Sequence, residues 1–225
     1  HSAALRQIAP DASIVNIGLG LASKNFLGRV RNPGDFLCAP SPVVATEIRE
    51  RRGLSEDQVW ATGYPAMDLL FTSTGDQPVR DTKKTILYAP TDRPALSSID
   101  MIGADVLELI MRGRDDLELI LNPPPRHCEQ PPTWLLAWKE LAMRHAHVTL
   151  IDDPAYDAAA CLIRADLLIT DASSLMLEYL ALDRPMVLIT NPDHFGDPTH
   201  FDAAGFEWTW RNMGEEVRDV ELLSE

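Results

Sequence analysis

From about residue 84 onward the chain repeats one pattern: a mainly apolar run of four or five residues, a polar turn, and a stretch with apolar positions at helical spacing. The apolar runs fall at 85–88, 117–121, 148–151, 167–170 and 186–189. Helices are predicted between them at roughly 101–112, 132–145, 155–164 and 174–182. Strands that are apolar throughout, rather than alternating, are buried on both faces, which belongs to a parallel sheet covered by helices on each side. The expected fold class is therefore α/β, an open, doubly wound parallel sheet. Ligands of such sheets sit at the carboxyl ends of the strands. Two polar turns fall there, Ala89-Pro90-Thr91-Asp92-Arg93 and Asp171-Ala172-Ser173-Ser174.

The first eighty residues are patterned differently. Strands are expected at 35–39 and 58–61, flanking a helix at 42–52. Thr62-Gly63-Tyr64-Pro65 reads as a turn, followed by a short helix at 66–71. The polar stretch 72–84, with Gly75 and Pro78, marks a linker. This divides the chain into a partial first lobe at 1–75, a linker at 76–84 and a second lobe at 85–225. The opening thirty residues, with Gly18, Gly20 and Gly28, are loop-rich and fit no element.

The 167–185 segment carries the most chemistry. It reads as a buried strand, a tight turn, a helix of two and a half turns and a terminating Pro185, with a further strand beyond. Small hydroxyl residues where a strand becomes a helix leave backbone N–H groups and a partial positive charge facing outward, a setting for a phosphate. Glu178 follows Ser174 by one helical turn on the same face, where a carboxylate can accept hydrogen bonds from sugar hydroxyls. The same residues also suit an ordinary helix, with Ser173 or Ser174 as N-cap and Glu178 solvated.

A net charge of −14 and a pI near 4.7 argue against a nucleic-acid surface and against electrostatic membrane anchoring by this segment. Three cysteines (Cys38, Cys128 and Cys161) are too dispersed for a disulfide framework or a zinc site, so a reducing, cytoplasmic setting is expected. No apolar run is long enough to span a bilayer, and no signal peptide is visible. Asp152-Asp153, followed by Pro154, reads as a helix start rather than a metal pair. Trp134, Trp138, Trp208 and Trp210 read as packing residues, and Cys161 as core. The loop with His194, Asp197, His200 and Asp202 follows the last predicted strand, where it faces a ligand or serves as a lid.

Four phrases occur in order: Thr62-Gly63-Tyr64-Pro65-Ala66-Met67-Asp68; Leu87-Tyr88-Ala89-Pro90-Thr91-Asp92-Arg93; Leu168 to Ser174; and Leu182-Asp183-Arg184-Pro185. With Pro40-Ser41-Pro42 ahead of them, they resemble the CDP-glycerol glycerophosphotransferase family of teichoic-acid polymerases. Its members carry Thr-Gly-Tyr-Pro-x-x-Asp, Tyr-Ala-Pro-Thr, and Ile-Thr-Asp-Tyr-Ser-Ser followed by Leu-Asp-Arg-Pro.

The resemblance implies a GT-B-type pair of Rossmann-like lobes, with the nucleotide donor held mainly by the second. It implies transfer of glycerol phosphate from CDP-glycerol to a hydroxyl of a cell-surface polymer or lipid-linked primer, without metal or other cofactor. Ser173 and Ser174, with Asp171 in the same turn, would meet the pyrophosphate, and Glu178 the ribose. Thr91 and Arg93 would lie across the cleft mouth. Asn122 stands where the family tends to have histidine, so His127 is a possible substitute. Ala172 replaces the family's aromatic. His1 would be the remnant of a catalytic His-Gly-Thr phrase, a neutral imidazole that takes the proton from the acceptor hydroxyl; a leading His-Ser is also what a purification tag leaves. Lys24 is a further phosphate contact to consider. Such acceptors imply peripheral contact with the inner face of the cell membrane through regions outside this segment. Two rivals stay open: a GT-B glycosyltransferase using a UDP- or CMP-sugar, and a non-catalytic nucleotide- or partner-binding lobe.

Overall fold

Each apolar run predicted beyond residue 84 forms a strand of one parallel sheet. The computed structural model describes residues 2–17, 34–72, 83–124, 131–151, 153, 156, 158–220 and 223. Its larger sheet comprises β4 (Lys84–Tyr88), β5 (Leu117–Leu121), β6 (Val148–Leu150), β7 (Leu167–Thr170), β8 (Met186–Ile189) and β9 (Glu215–Val217). The strand order is β6-β5-β4-β7-β8-β9, parallel throughout. Ile86 of β4 pairs with Leu119 on one side and Leu167 on the other, so β4 lies between both halves of the sheet. The chain winds outward from β4 through β5 and β6, then crosses back to β7 and winds the other way. That reversal between β4 and β7 is the topological switch point, where ligands of open α/β sheets bind.

Successive side chains of β4 alternate between two helical layers, as the pleat requires. Ile86 and Tyr88 pack with Leu107 and Met111 of α4 (Ala104–Met111) and with Trp138 and Leu141 of α5 (Thr133–Arg144). Leu87 faces Cys161 and Leu162 of α6 (Ala158–Arg164), and Met176 and Tyr179 of α7 (Leu175–Leu180). Cys161 is fully buried, in keeping with a packing role. The Leu-Asp-Arg-Pro phrase is a structural turn: Asp183 adopts a left-handed backbone with φ 51°. Arg184 Nη1 donates to the Ile163 and Ala165 carbonyls at 2.7 and 2.6 Å, closing the C-terminal end of α6.

The sixth strand is a correction to the expected five. β9 begins with two glutamates and buries only Val217, so no apolar run announces it. Gly214 lets it approach, because a Cβ there would lie 2.7 Å from the Met186 carbonyl oxygen. The helices at 101–112 and 174–182 are shorter than expected, at Ala104–Met111 and Leu175–Leu180.

The smaller sheet is β1 (Val15–Asn16), β2 (Phe36–Ala39) and β3 (Val59–Ala61), also parallel. α2 (Pro42–Arg52) covers it, burying Val44, Ala45 and Ile48 against Leu37, Ala39 and Val59. Its start is set by the Ser41 side chain, which accepts from the Val44 N–H at 3.2 Å, and by Pro42 at the first helical position. α1 (Ser2–Ile8) and two-residue β1 lie where no element was expected. Gly18, Gly20, Lys24 and Gly28 lie outside the described residues.

The predicted helix at 66–71 is instead a 3₁₀ turn, Pro65–Met67, followed by α3 (Asp68–Thr72). Its Leu70 is buried among Cys161, Leu162 and Tyr179 of the larger sheet's layer. In return, Phe206 of α8 (Phe206–Thr209) enters the core of the smaller sheet. Arg51 Nη1 donates to Asp202 Oδ2 across the same junction at 2.7 Å.

Candidate functional site

The turn after β7 and the loop after β4 meet through one carboxylate. Asp171 is fully buried. Its Oδ1 accepts from the Thr91 N–H at 2.9 Å, and its Oδ2 from the Ser98 N–H and hydroxyl at 2.8 and 2.9 Å. One residue earlier, Thr170 Oγ1 donates to the Ala89 carbonyl at 2.6 Å. Just past β8, Asn191 Nδ2 donates to the Ser97 and Pro94 carbonyls at 2.7 and 3.2 Å. The loop from Ala89 to Ser98 is thus pinned at several points along the carboxyl edge of the sheet.

This corrects two readings of single residues. Thr91, expected at the cleft mouth, is 2% exposed, with its N–H held by Asp171. Asp171 is committed to the loop, so it positions the turn rather than facing solvent. The serines that follow differ from one another. Ser173 is buried, and its Oγ accepts from the Leu175 N–H at 3.4 Å. Ser174 has helical backbone angles, φ −60° and ψ −24°, and makes no side-chain cap. The residue is half-exposed, and its hydroxyl is not spent on closing the helix. Ala172 is fully buried, which leaves room for a methyl group where the resembled family has an aromatic ring.

One turn along α7, the Glu178 carboxylate lies near enough to the Tyr64 phenol for its charge to act on it. Gly63, at φ +84°, gives the preceding turn a backbone that other residues rarely adopt. Burial, and then the Glu178 charge, push the Tyr64 phenol above its ordinary value near 10. Glu178 is therefore a joint between the two sheets as well as a half-exposed carboxylate one turn from Ser174.

Arg93 Nε lies 3.6 Å from Asp92 Oδ1, a surface pair with both side chains 41% exposed. Such pairs hold weakly and leave the guanidinium able to meet an anion. Asn122 is half-buried at the carboxyl end of β5, its N–H donating to the Tyr88 carbonyl at 2.9 Å. The structure thus gathers Thr91, Asp171, Ser173, Ser174 and Glu178 at the switch point, with Asn122 one strand away. His1, Lys24, His127 and Asp152 lie outside the described residues.

Sequence reasoning missed Arg211. It is 7% exposed, Nη1 donates to the Asp171 carbonyl at 3.4 Å, and Nη2 donates to Thr190 Oγ1 at 2.7 Å. Its partners are remote in sequence, so no local pattern marks it. Of the tryptophans, Trp138 is core, whereas Trp210 is 43% exposed and packs by stacking on Phe206.

A doubly wound parallel sheet with two loops joined at its switch point, clasped to a second parallel sheet, places the chain in the GT-B-like class of α/β proteins. Within that class, the chain belongs to the CDP-Glycerol:Poly(glycerophosphate) glycerophosphotransferase family, whose model matches residues 1–194. It is 25% identical over 199 residues to the teichoic acid poly(glycerol phosphate) polymerase of Staphylococcus epidermidis, covering 82% of this chain and 27% of that one. It is 24% identical over 210 residues to the teichoic acid glycerol-phosphate transferase of Staphylococcus aureus, covering 88% of this chain and 52% of that one.

Among solved structures, the wall teichoic acid polymerase TagF superposes with a TM-score of 0.65 at 21% identity, covering 94% of this chain and 58% of that one. The S. aureus MnaA–UDP co-structure gives 0.56 at 18%, covering 82% and 53%. These likenesses establish the fold. The chain spans between about a quarter and about half of the curated relatives' length.

Proposed function

We propose that this chain is the donor-binding part of a glycerophosphotransferase. It binds CDP-glycerol at the β4–β7 switch point, and its glycerol phosphate passes to a hydroxyl of a cell-surface polymer or lipid-linked primer. The observation that carries the reading is the Asp171 junction. It fixes the Ser173-Ser174 turn and the Thr91–Ser98 loop at one sheet edge, in a chain of this family.

Ser174 offers its hydroxyl to the pyrophosphate, Arg93 offers cationic donors suited to phosphate oxygens, and Glu178 accepts from ribose hydroxyls. In the reaction the acceptor oxygen bonds to the β-phosphorus, the bond to CMP breaks, and the hydroxyl proton passes to a base. His1 is the residue to test for that base. Relatives named as teichoic acid polymerase and primase support a polymer or primer as acceptor. Among the described residues no helix is long and apolar enough to cross a membrane. Work at the inner membrane face is therefore proposed as peripheral, through regions outside this segment.

The second reading is a GT-B enzyme using a uridine nucleotide, favoured by the shared fold of the MnaA–UDP structure. Calorimetric titration with CDP-glycerol, CMP and UDP separates the two. Preference for both cytidine ligands supports the glycerophosphotransferase. Preference for UDP moves the chemistry to a sugar nucleotide, and absence of binding by all three leaves a lobe that serves protein partners.

A further inference from the structure

Arg211 is a buried cation held by groups from four parts of the fold. It opens the 3₁₀ turn Arg211–Met213, which joins α8 to β9. Its Nη2 donates to Thr190 Oγ1, just past β8, at 2.7 Å, and its Nη1 to the Asp171 carbonyl, just past β7, at 3.4 Å. Its Nε lies 3.5 Å from Glu216 Oε1 of β9, and the guanidinium lies 5.4 Å from the centre of the Trp208 ring in α8. A guanidinium suits such a place, because it is planar, carries forked donors and is weakly hydrated enough to lie against an aromatic face. Burial draws its pKa down from the ordinary value, and the charges of Glu216 and then Asp171 oppose that.

The Asp171 carboxylate gives this cation a task. Its oxygens accept from the Thr91 N–H and from the Ser98 N–H and hydroxyl, all neutral donors. Neutral donors satisfy the lone pairs of a carboxylate and leave its charge in place. That charge stands two residues before Ser173 and three before Ser174, in the turn proposed for the pyrophosphate. Asp171, Ala172 and Ser173 are all buried, so water screens little between the carboxylate and an anion at the turn. Left uncompensated, the residue that builds the turn repels the ligand the turn would hold.

Arg211 meets Asp171 in two ways, by the hydrogen bond to its carbonyl and by attraction to its carboxylate. Glu216 competes for the same guanidinium. It is held in place by Thr190 Oγ1 at 2.5 Å and by Arg218 Nη2 at 3.3 Å. The Arg211 charge is thus divided between one carboxylate in the turn and one on the edge strand.

We infer that Arg211 is a positioning residue for the anion site: it seats the 171–174 turn through the Asp171 carbonyl and offsets the Asp171 charge, so that the turn accepts a pyrophosphate. This rests on the donor reading proposed above and deepens it. Arg211, Trp208 and Glu216 all lie past residue 194, where the family match ends. The contribution is made without touching the ligand.

The test is calorimetric titration of the 225-residue chain with CDP and with cytidine, read as the ratio of their affinities, alongside thermal melts. Arg211→Gln keeps hydrogen-bond donors and removes the charge. It is expected to narrow the ratio about tenfold with cytidine affinity unchanged. Glu216→Gln keeps an acceptor for the Thr190 hydroxyl and leaves more of the Arg211 charge to Asp171. It is expected to widen the ratio about threefold, even though it removes an ion pair and lowers the melting temperature. A role confined to packing narrows the ratio in this variant as well. Arg218→Ala removes the same charge as Arg211→Gln, from a side chain 76% exposed, where water and salt screen it. It is expected to leave the ratio unchanged.

A native chain that binds CDP no more tightly than cytidine removes the donor reading, and this inference with it. A native preference for CDP that survives Arg211→Gln, or that Arg218→Ala narrows equally, overturns this inference and leaves the donor reading standing. Should Arg211→Gln fail to melt cooperatively, Glu216→Gln decides: a wider ratio supports the role of Arg211, and an equal or narrower one overturns it.

Discussion

Asp171 and Ser98 are joined twice: the Ser98 N–H and hydroxyl both donate to the same carboxylate oxygen, at 2.8 and 2.9 Å, with every group buried. With the Thr91 N–H on the other oxygen, this carboxylate ties the two loops of the site together. An amide in its place offers one acceptor oxygen and sets an NH₂ group against donors. Asp171→Asn is expected to cost about 3 kcal/mol. In a chain of this size that lowers Tm by about 6–12 °C. Thermal melts by circular dichroism check it, and an unchanged midpoint would show that the junction contributes little.

The Tyr64–Glu178 contact makes the joint between the sheets sensitive to alkali. Folded Tyr64 holds its proton above the ordinary value near 10, first through burial and then through the Glu178 charge. Above pH 10 the unfolded chain releases this proton before the folded chain does, so stability falls as pH rises further. Below pH 10 the contribution is complete. Glu178→Gln is expected to move the Tyr64 titration downward and to shorten the alkaline decline. Phenolate absorbance, compared with Tyr64→Phe to isolate this ring, gives the shift.

Glu216 responds at the other end of the pH scale. The Thr190 hydroxyl holds its carboxyl below the usual value near 4.5, with Arg218 and Arg211 adding to the effect against a smaller opposing effect of burial. A depressed carboxylate contributes stability above its unfolded value and loses it as pH falls. Thr190→Val is expected to bring Glu216 back toward 4.5 and to flatten the acid side of the stability profile. Denaturant midpoints measured between about pH 3 and 6 should show the difference.

Arg184 has a structural task despite lying in a family-like phrase. Its guanidinium closes α6 through the Ile163 and Ala165 carbonyls. Arg184→Ala is expected to cost about 2 kcal/mol, or about 4–8 °C in Tm, with nucleotide affinity unchanged. Loss of affinity in a variant that still melts cooperatively would make it a ligand contact instead.

The legibility of this fold followed burial. β4, β5, β7 and β8 are apolar on both faces, so their order and the two carboxyl-end turns could be read from the residues. β9 could not, because an edge strand with one buried side chain carries no hydrophobic run. Two-residue β1 is too short for any period to show. At the site, Ser173, Ser174 and Glu178 stood out because they are neighbours in sequence. The burial of Thr91 did not, since threonine is equally at home in a buried turn and on a surface. Arg211 and the Tyr64–Glu178 contact depend on tertiary approach, which local pattern does not encode.

The most direct test of the donor site compares CDP with cytidine by calorimetry, in the native chain and in Ser174→Ala. If the 171–174 turn holds the pyrophosphate, CDP binds the native chain more tightly than cytidine. The substitution then narrows that gap by about tenfold while cytidine affinity stays the same. A gap of equal size in both proteins contradicts a pyrophosphate at this turn.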